Sequence, residues 1–463
     1  MEKLKTKYGL PTAICMVVGT VIGSGVFFKA QNVLEATGGR MYPGIMAWII
    51  TGLLMIICSC QFAVMATKYE KINGLVDYAE ATCGKGYAYF VAWFMVNLYY
   101  PGMTSVLAWV SARYLGVLFG WNMVSAEVLA LSGFLLVSVY AINALSPKIA
   151  GKFQISATVI KLIPILLMAV VGTIVGFAKG TLTSNFTTAV SDPVGGTVSS
   201  GLFAAIVATV FAYEGWIVAT SINAELKNPK KNLPIALLVG AFIIVAAYVF
   251  YFIGVAGGAS NKVLMEEGAT TAFNNIFGKV GGTFLNICIV VSCLGTLNGL
   301  MMAETRGMYA IAARDEGPKK ETFIQIDKQT NMTGNSAVWG LFISAAWLLY
   351  FYGANLTNGW FGYFNFDSSE LPIITIYAMY IPIFVAWMKK EKHLGTFKRF
   401  VLPLIAIVAC GFMIFAAIYA HGITPYLVAK EAGQFSFPVL FYLIVYAVIM
   451  GIGMLVRKPF KKN

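Results

Sequence analysis

The stretch Gly19-Thr20-Val21-Ile22-Gly23-Ser24-Gly25 sits in the middle of an apolar run from about Tyr8 to Leu34. Each of its glycines costs a helix interior ~1 kcal/mol relative to alanine. Inside a bilayer, peptide groups leave the helical ladder only where they face protein, water or a ligand. One reading is a broken membrane helix whose bare amides and carbonyls grip a small molecule. The other is a small-xxx-small face, Gly19 and Gly23, for close helix packing. The remainder of the chain decides between them.

Hydrophobic residues make up 59% of the 463 and charged residues 11%, with a mean hydropathy of +0.76. A soluble domain carries about 25% charged residues, so the chain reads as a polytopic, all-α membrane protein. Met1–Lys7 is basic, but the run after it is too long and too glycine-broken for a cleavable signal. It reads as a first, retained span. The net charge of +13 suits nucleic acid in principle. These charges instead flank the apolar spans, which is how a membrane protein is oriented, so no nucleic-acid partner is expected and the bilayer is. The cysteines, at 15, 58, 60, 83, 288, 293 and 410, fall mostly inside spans without zinc-like spacing. They read as small packing residues, and no metal is expected. His393 and His421 lie near span ends, and no nucleophile–base set or carboxylate cluster appears. Neither an enzyme nor a cofactor is implied.

About 20 apolar residues cross ~30 Å of hydrocarbon. That measure predicts 12 transmembrane helices, near 9–34, 43–67, 86–119, 123–144, 150–178, 198–222, 232–256, 279–313, 336–353, 363–388, 399–420 and 436–456. An even number puts both termini on one side. Of the 33 Lys and Arg residues, 25 then fall on that side, 7 on the other (Lys29 among them), and Lys161 lies within a span. By the positive-inside rule both ends are cytoplasmic, in a cell (inner) membrane.

The sixth span is interrupted too, at Phe211-Ala212-Tyr213-Glu214-Gly215-Trp216. Spans one and six each open a block of five, and five spans per block gives the blocks opposite orientations. Paired broken segments at matching positions point to an inverted-repeat transporter with a central site. The expected organisation is a 5+5 inverted repeat: residues 1–178 as the first repeat, 179–388 as the second, and 389–463 as spans eleven and twelve plus a cytoplasmic tail. Glu214 is equally compatible with a plainer role, an acid favouring the start of the following half-helix. Segment 262–277 has an apolar side suited to an outer lid.

Lys161 lies about eleven residues into span five, or ~16 Å at 1.5 Å per residue. A charge at that depth costs ~3 kcal/mol or more unless paired or solvated, so it reads as functional. Other intramembrane polar residues are Asn97, Asn143, Thr296, Asn298 and Glu304. Thr296 and Asn298 are candidates to approach Lys161 or the first helix, and Glu304 with Arg306 a candidate inner gate.

Val18 to Phe27 resembles the first-helix signature of the amino acid–polyamine–organocation transporter superfamily. Phe211 to Trp216, followed by Glu225-Leu-Lys-Asn-Pro229 and Asn232-Leu-Pro234, is similar to its L-amino-acid transporter branch, which includes bacterial serine/threonine-type exchangers. Gln154 to Pro164, with Lys161, resembles that branch as well. The resemblance implies the LeuT-type 5+5 fold with discontinuous helices 1 and 6. It implies that backbone around Gly23, Ser24 and Gly25 binds the substrate carboxylate, which suits free amides at a helix N-terminus. Carbonyls of Val21 and of the break near Phe211, Ala212 and Glu214 would meet the ammonium, and Phe211 would serve as the outer gate. Lys161, with Tyr248 nearby, would replace the sodium of coupled relatives or carry a proton. The implied function is a sodium-independent, alternating-access transporter of small neutral L-amino acids, an exchanger. The alternatives are a proton-coupled symporter or a carrier of cationic amino acids using Glu214. Arg113–Met123 has no cysteine, so no covalent heavy subunit is expected.

Overall fold

The computed structural model describes residues 9–69, 74–219, 227–330, 332–357 and 359–457. The Glu225-Leu226 part of the second motif, the far end of span six and the tail residues Lys3, Lys5, Lys7, Lys458, Lys461 and Lys462 lie outside them. Among the described residues the chain is helical throughout, and nine helices are long and apolar enough to cross a membrane. Two further apolar helices, Leu10–Gly19 and Val198–Tyr213, are shorter. The sequence predicts twelve such spans, and three of the expected stretches are not among the nine. Spans one and six are cut by their breaks. The third runs as Lys85–Phe94, a π-helical turn at Met95–Tyr99, and Tyr100–Leu118, with Asn97, Pro101 and Arg113 lowering its hydropathy.

The helices begin where the sequence supplies a start. Proline stands in the first turn of Leu10–Val21, Tyr100–Leu118, Leu402–Ile418 and Pro438–Val456, where its missing N–H costs nothing. Val198–Tyr213 opens on a capping box between Thr197 and Ser200, which satisfies two otherwise unpaired donors.

The chain packs as two compact units, each assembled from three segments. The first comprises Met1–Lys85, Leu162–Leu285 and Ile373–Gln434. In it the Pro229–Gly258 helix packs against Leu10–Val21, Met41–Ala66 and the 162–178 region. The last of these crossings is made by glycines. A Cβ on Gly254 would stand 1.9 Å from the Met168 carbonyl oxygen, and one on Gly257 2.1 Å from that of Gly172. Only small residues permit such an approach in a membrane. Cys58 and Cys410 are buried thiols 3.9 Å apart, packing residues as the sequence suggests.

The second unit comprises Gly86–Lys161, Asn286–Pro372 and Phe435–Asn463. Here Tyr100–Leu118 packs against Ala126–Leu145 and Gly334–Phe351. Pro438–Val456 is fastened to the third span by Tyr89, whose hydroxyl donates to the Gly453 carbonyl at 2.7 Å, and by Trp93, whose indole donates to Ile449 O at 2.9 Å. Its end is held by a two-pronged ion pair from Arg457 to the buried Glu316.

Candidate functional site

Both interruptions predicted from sequence lie in the first unit, and they meet. The Leu10–Val21 helix ends with Ile22 in an extended conformation. The chain turns through Gly23 and Ser24 and restarts as the Gly25–Ala36 helix. Val198–Tyr213 ends the same way, with Glu214 extended and Gly215 at φ 103°. That φ is open to glycine at little cost and to few other residues, so Gly215 is what lets the sixth span stop and start again at Trp216. A Cβ placed on Gly25 would stand 2.5 Å from Ala212 Cα. Gly25 is therefore a contact residue as well as a break residue. Gly23, the second member of the proposed packing face, lies in the break itself.

Each break leaves backbone groups without helical partners. At the start of Gly25–Ala36 the Phe27 amide donates to Ser24 O at 3.0 Å, and the Ser24 hydroxyl is fully buried with no hydrogen-bond partner. At the other pole, carbonyls of Val21 and Ala212 converge on Tyr248. Its hydroxyl lies 2.8 Å from Ala212 O and 3.2 Å from Val21 O. A single side chain from the Pro229–Gly258 helix thus ties together the ends of both broken helices. An unpartnered hydroxyl at a helix N-terminus and partly engaged carbonyls at the other pole are groups able to meet opposite charges.

Aromatic rings close around these groups. Phe211 packs edge-on against Phe28, with centroids 5.2 Å apart. Trp48, Tyr213 and Tyr248 form a buried cluster, and the Tyr213 hydroxyl donates to Trp48 O at 2.8 Å. The helix at Asn261–Glu267, inside the segment proposed as a lid, rests against Gly25–Ala36. Gln31 Nε2 donates to Met265 O at 2.8 Å.

The structure thus assembles Val21, Ser24, Gly25, Phe211, Ala212 and Tyr248, with Gly23 and the buried Glu214 in the breaks themselves. Lys161 is buried in the second unit, in a turn after the Pro147–Ile160 helix. Lys29, which the sequence reading counts on the side opposite the termini, is only 2% exposed, and its ammonium sits 5.4 Å from the ring centroids of both Phe28 and Phe211. That distance is within cation–π range. Its spacing four residues after Gly25 puts both on one helix face, a signal the sequence offered. Glu304 and Arg306 do not form a gate pair. Glu304 is buried and accepts from Ser344 Oγ at 2.7 Å and Thr104 Oγ1 at 3.1 Å. Arg306 is exposed and donates to Met302 O. Asn298 bonds to Ala150 O, Gln154 and Asn143, while Thr296 bonds back to Ser292 O in its own helix.

The sequence profile described as "Amino acid permease" matches residues 8–453. The serine/threonine exchanger SteT of Bacillus subtilis is 30% identical over 87% of this chain and 87% of its own. The b(0,+)-type amino acid transporter 1 of Mus musculus is 23% identical over 95% of this chain and 86% of its own. The human cystine/glutamate transporter is 26% identical over 71% and 65%. Among solved structures, that of MhsT in complex with L-phenylalanine superposes with a TM-score of 0.56 at 12% identity, covering 90% of this chain and 100% of that one. That likeness is one of fold, the LeuT-like arrangement of helices.

Proposed function

The chain belongs to the amino acid permease family, and from that premise we propose that it is a sodium-independent, alternating-access exchanger of small neutral L-amino acids. One observation carries the reading: the contact of the two helix breaks at Gly25 and Ala212, with the orphaned Ser24 hydroxyl at one pole and the Val21 and Ala212 carbonyls at the other. In this reading the substrate carboxylate takes the amides around Gly23, Ser24 and Gly25, where a helix N-terminus favours an anion. The ammonium takes the carbonyls of Val21, Phe211 and Ala212 and the backbone of Glu214. Phe211, braced by Phe28, covers the substrate. Lys161 supplies inside the membrane the permanent charge that a bound sodium ion would otherwise bring.

The chain then crosses the membrane twelve times as two inverted blocks of five spans plus two, with both termini cytoplasmic. The exchanger SteT, 30% identical, supports exchange over net uptake. A carrier of cationic substrates that uses Glu214 is the second reading, and competition in counterflow separates the two.

Counterflow in proteoliposomes tests the proposal. Unlabelled serine, threonine and alanine should compete in sodium-free buffer, and Lys161→Ala should abolish exchange. Strict sodium dependence, or competition by lysine and putrescine but not by serine, refutes it.

A further inference from the structure

The second unit contains a cavity of about 780 Å³ that the transport path does not use. It is a groove between the Gly334–Phe351 and Pro438–Val456 helices, floored by Trp93 and Asn97 of the third span. It runs along Gly334–Phe351 from Trp339 to Tyr350, about 16 Å at 1.5 Å per residue. That is close to one leaflet, half of the ~30 Å hydrocarbon core. Its side is open at Ala346 and at Ile452, which is 49% exposed.

The indole, amide and phenol groups in its walls are already spent, which leaves the hydroxyl of the exposed Thr322. The indole of Trp339 donates to Asn97 Oδ1 and that of Trp347 to Asn97 O, each at 3.1 Å, while Trp93 donates to Ile449 O. Asn97 Nδ2 donates to Trp93 O at 3.0 Å, and Tyr350 to Phe364 O at 2.6 Å. Apart from the Thr322 hydroxyl, an occupant gains nothing there except burial of hydrocarbon, so a zwitterionic amino acid is excluded and an alkyl chain fits. The mouth is different. Lys319 is the only charged residue among the described residues that line the groove, and it is exposed. Its backbone is held in the left-handed region at φ 44°. It begins the short turn Lys320–Phe323, whose Phe323 packs edge-on against Trp339. The neighbouring charges are neutralised, Lys320 by Asp315 and Glu316 by Arg457.

We propose that this groove holds one acyl chain of an anionic phospholipid, with the headgroup phosphate on Lys319. The apolar slot supplies affinity for the chain and the lysine supplies selection for negative charge. A groove of this depth, opening sideways to the bilayer beneath a cationic rim, is filled from one leaflet.

Native mass spectrometry of the delipidated full-length protein, titrated with phosphatidylglycerol and phosphatidylethanolamine of identical chains, tests this. The wild type should retain phosphatidylglycerol several-fold better than phosphatidylethanolamine. Lys319→Gln should keep lipid binding and bring the two to parity, and Ala346→Trp, which fills the slot, should lose both. Ile343→Trp, judged folded by retained counterflow, gives the same reading if Ala346→Trp does not fold. The proposal is overturned if the slot-filling variants retain wild-type lipid occupancy, if Lys319→Gln keeps the preference, or if the wild type binds neither lipid. A lipid-free dimer that Ala346→Trp converts to monomer overturns it as well, because the groove would then seat a second copy of the chain.

Discussion

Removing the Tyr248 hydroxyl should separate the energetics of the two helix ends from everything else in the core. In Tyr248→Phe the ring, its burial and its contacts with Trp48 and Tyr213 remain, and one oxygen goes. That oxygen carries a single proton shared between Ala212 O at 2.8 Å and Val21 O at 3.2 Å, so the shorter contact carries most of the bond. A typical net hydrogen bond contributes ~1 kcal/mol, and a buried carbonyl left without a partner costs about 1–3 kcal/mol. The substrate-free protein should therefore lose about 1–3 kcal/mol, a fall of a few degrees in its melting temperature. If the substrate ammonium takes the same carbonyls, bound substrate supplies the missing donor. The variant should then gain more stability from saturating substrate than the wild type does. Tyr213→Phe is the control. Its hydroxyl serves Trp48 O, so it should lose comparable stability without an enlarged substrate shift. Thermal unfolding of detergent-solubilised protein, with and without substrate, reads both quantities, and counterflow reads the rate. Wild-type melting and wild-type exchange in Tyr248→Phe would refute the argument. So would equal substrate shifts in the two variants.

Gly25→Val should cut exchange at least tenfold, because its Cβ starts 2.5 Å from Ala212 Cα and overpacking of this kind costs about 1–3 kcal/mol; near-normal counterflow would show that the breaks do not need their contact. Gly254→Ala should lower the melting temperature even though alanine favours helix by ~1 kcal/mol, since the added carbon lies 1.9 Å from Met168 O. The same change at Gly451, which has open space around it, should be neutral or stabilising. Glu304→Gln keeps a hydrogen-bonding amide opposite Ser344 and Thr104 and should cost less than ~1 kcal/mol. Glu304→Ala leaves a cavity and removes the acceptor of two hydroxyls that keep only each other and the Tyr100 and Pro101 carbonyls, and should cost about 2–4 kcal/mol by thermal melting.

The fold was legible because its two controlling signals are local. Apolar runs of span length can bury their peptide groups in a bilayer only as helices. Gly23 and Gly25, and Gly215, stand where that helix fails; Gly19 stays inside the first helix. The places of the breaks were legible to the same extent, because a break is marked by residues adjacent in sequence. Glu304 was misread for the opposite reason. A charge beside a span end reads as gate-forming from spacing alone, and only packing shows its neighbours, Ser344 and Thr104.

By itself the sequence determined a helical membrane protein with two interrupted spans, the places of the interruptions, and the family to which the chain belongs. Tertiary structure alone decided that the interruptions touch, that one tyrosine hydroxyl ties both, and that an apolar groove opens beside Lys319. The reason is range. A break is written in the torsional preferences of a few consecutive residues, whereas Gly25 and Ala212, or Trp93 and Ile449, are neighbours only once helices distant in sequence have chosen one another by shape.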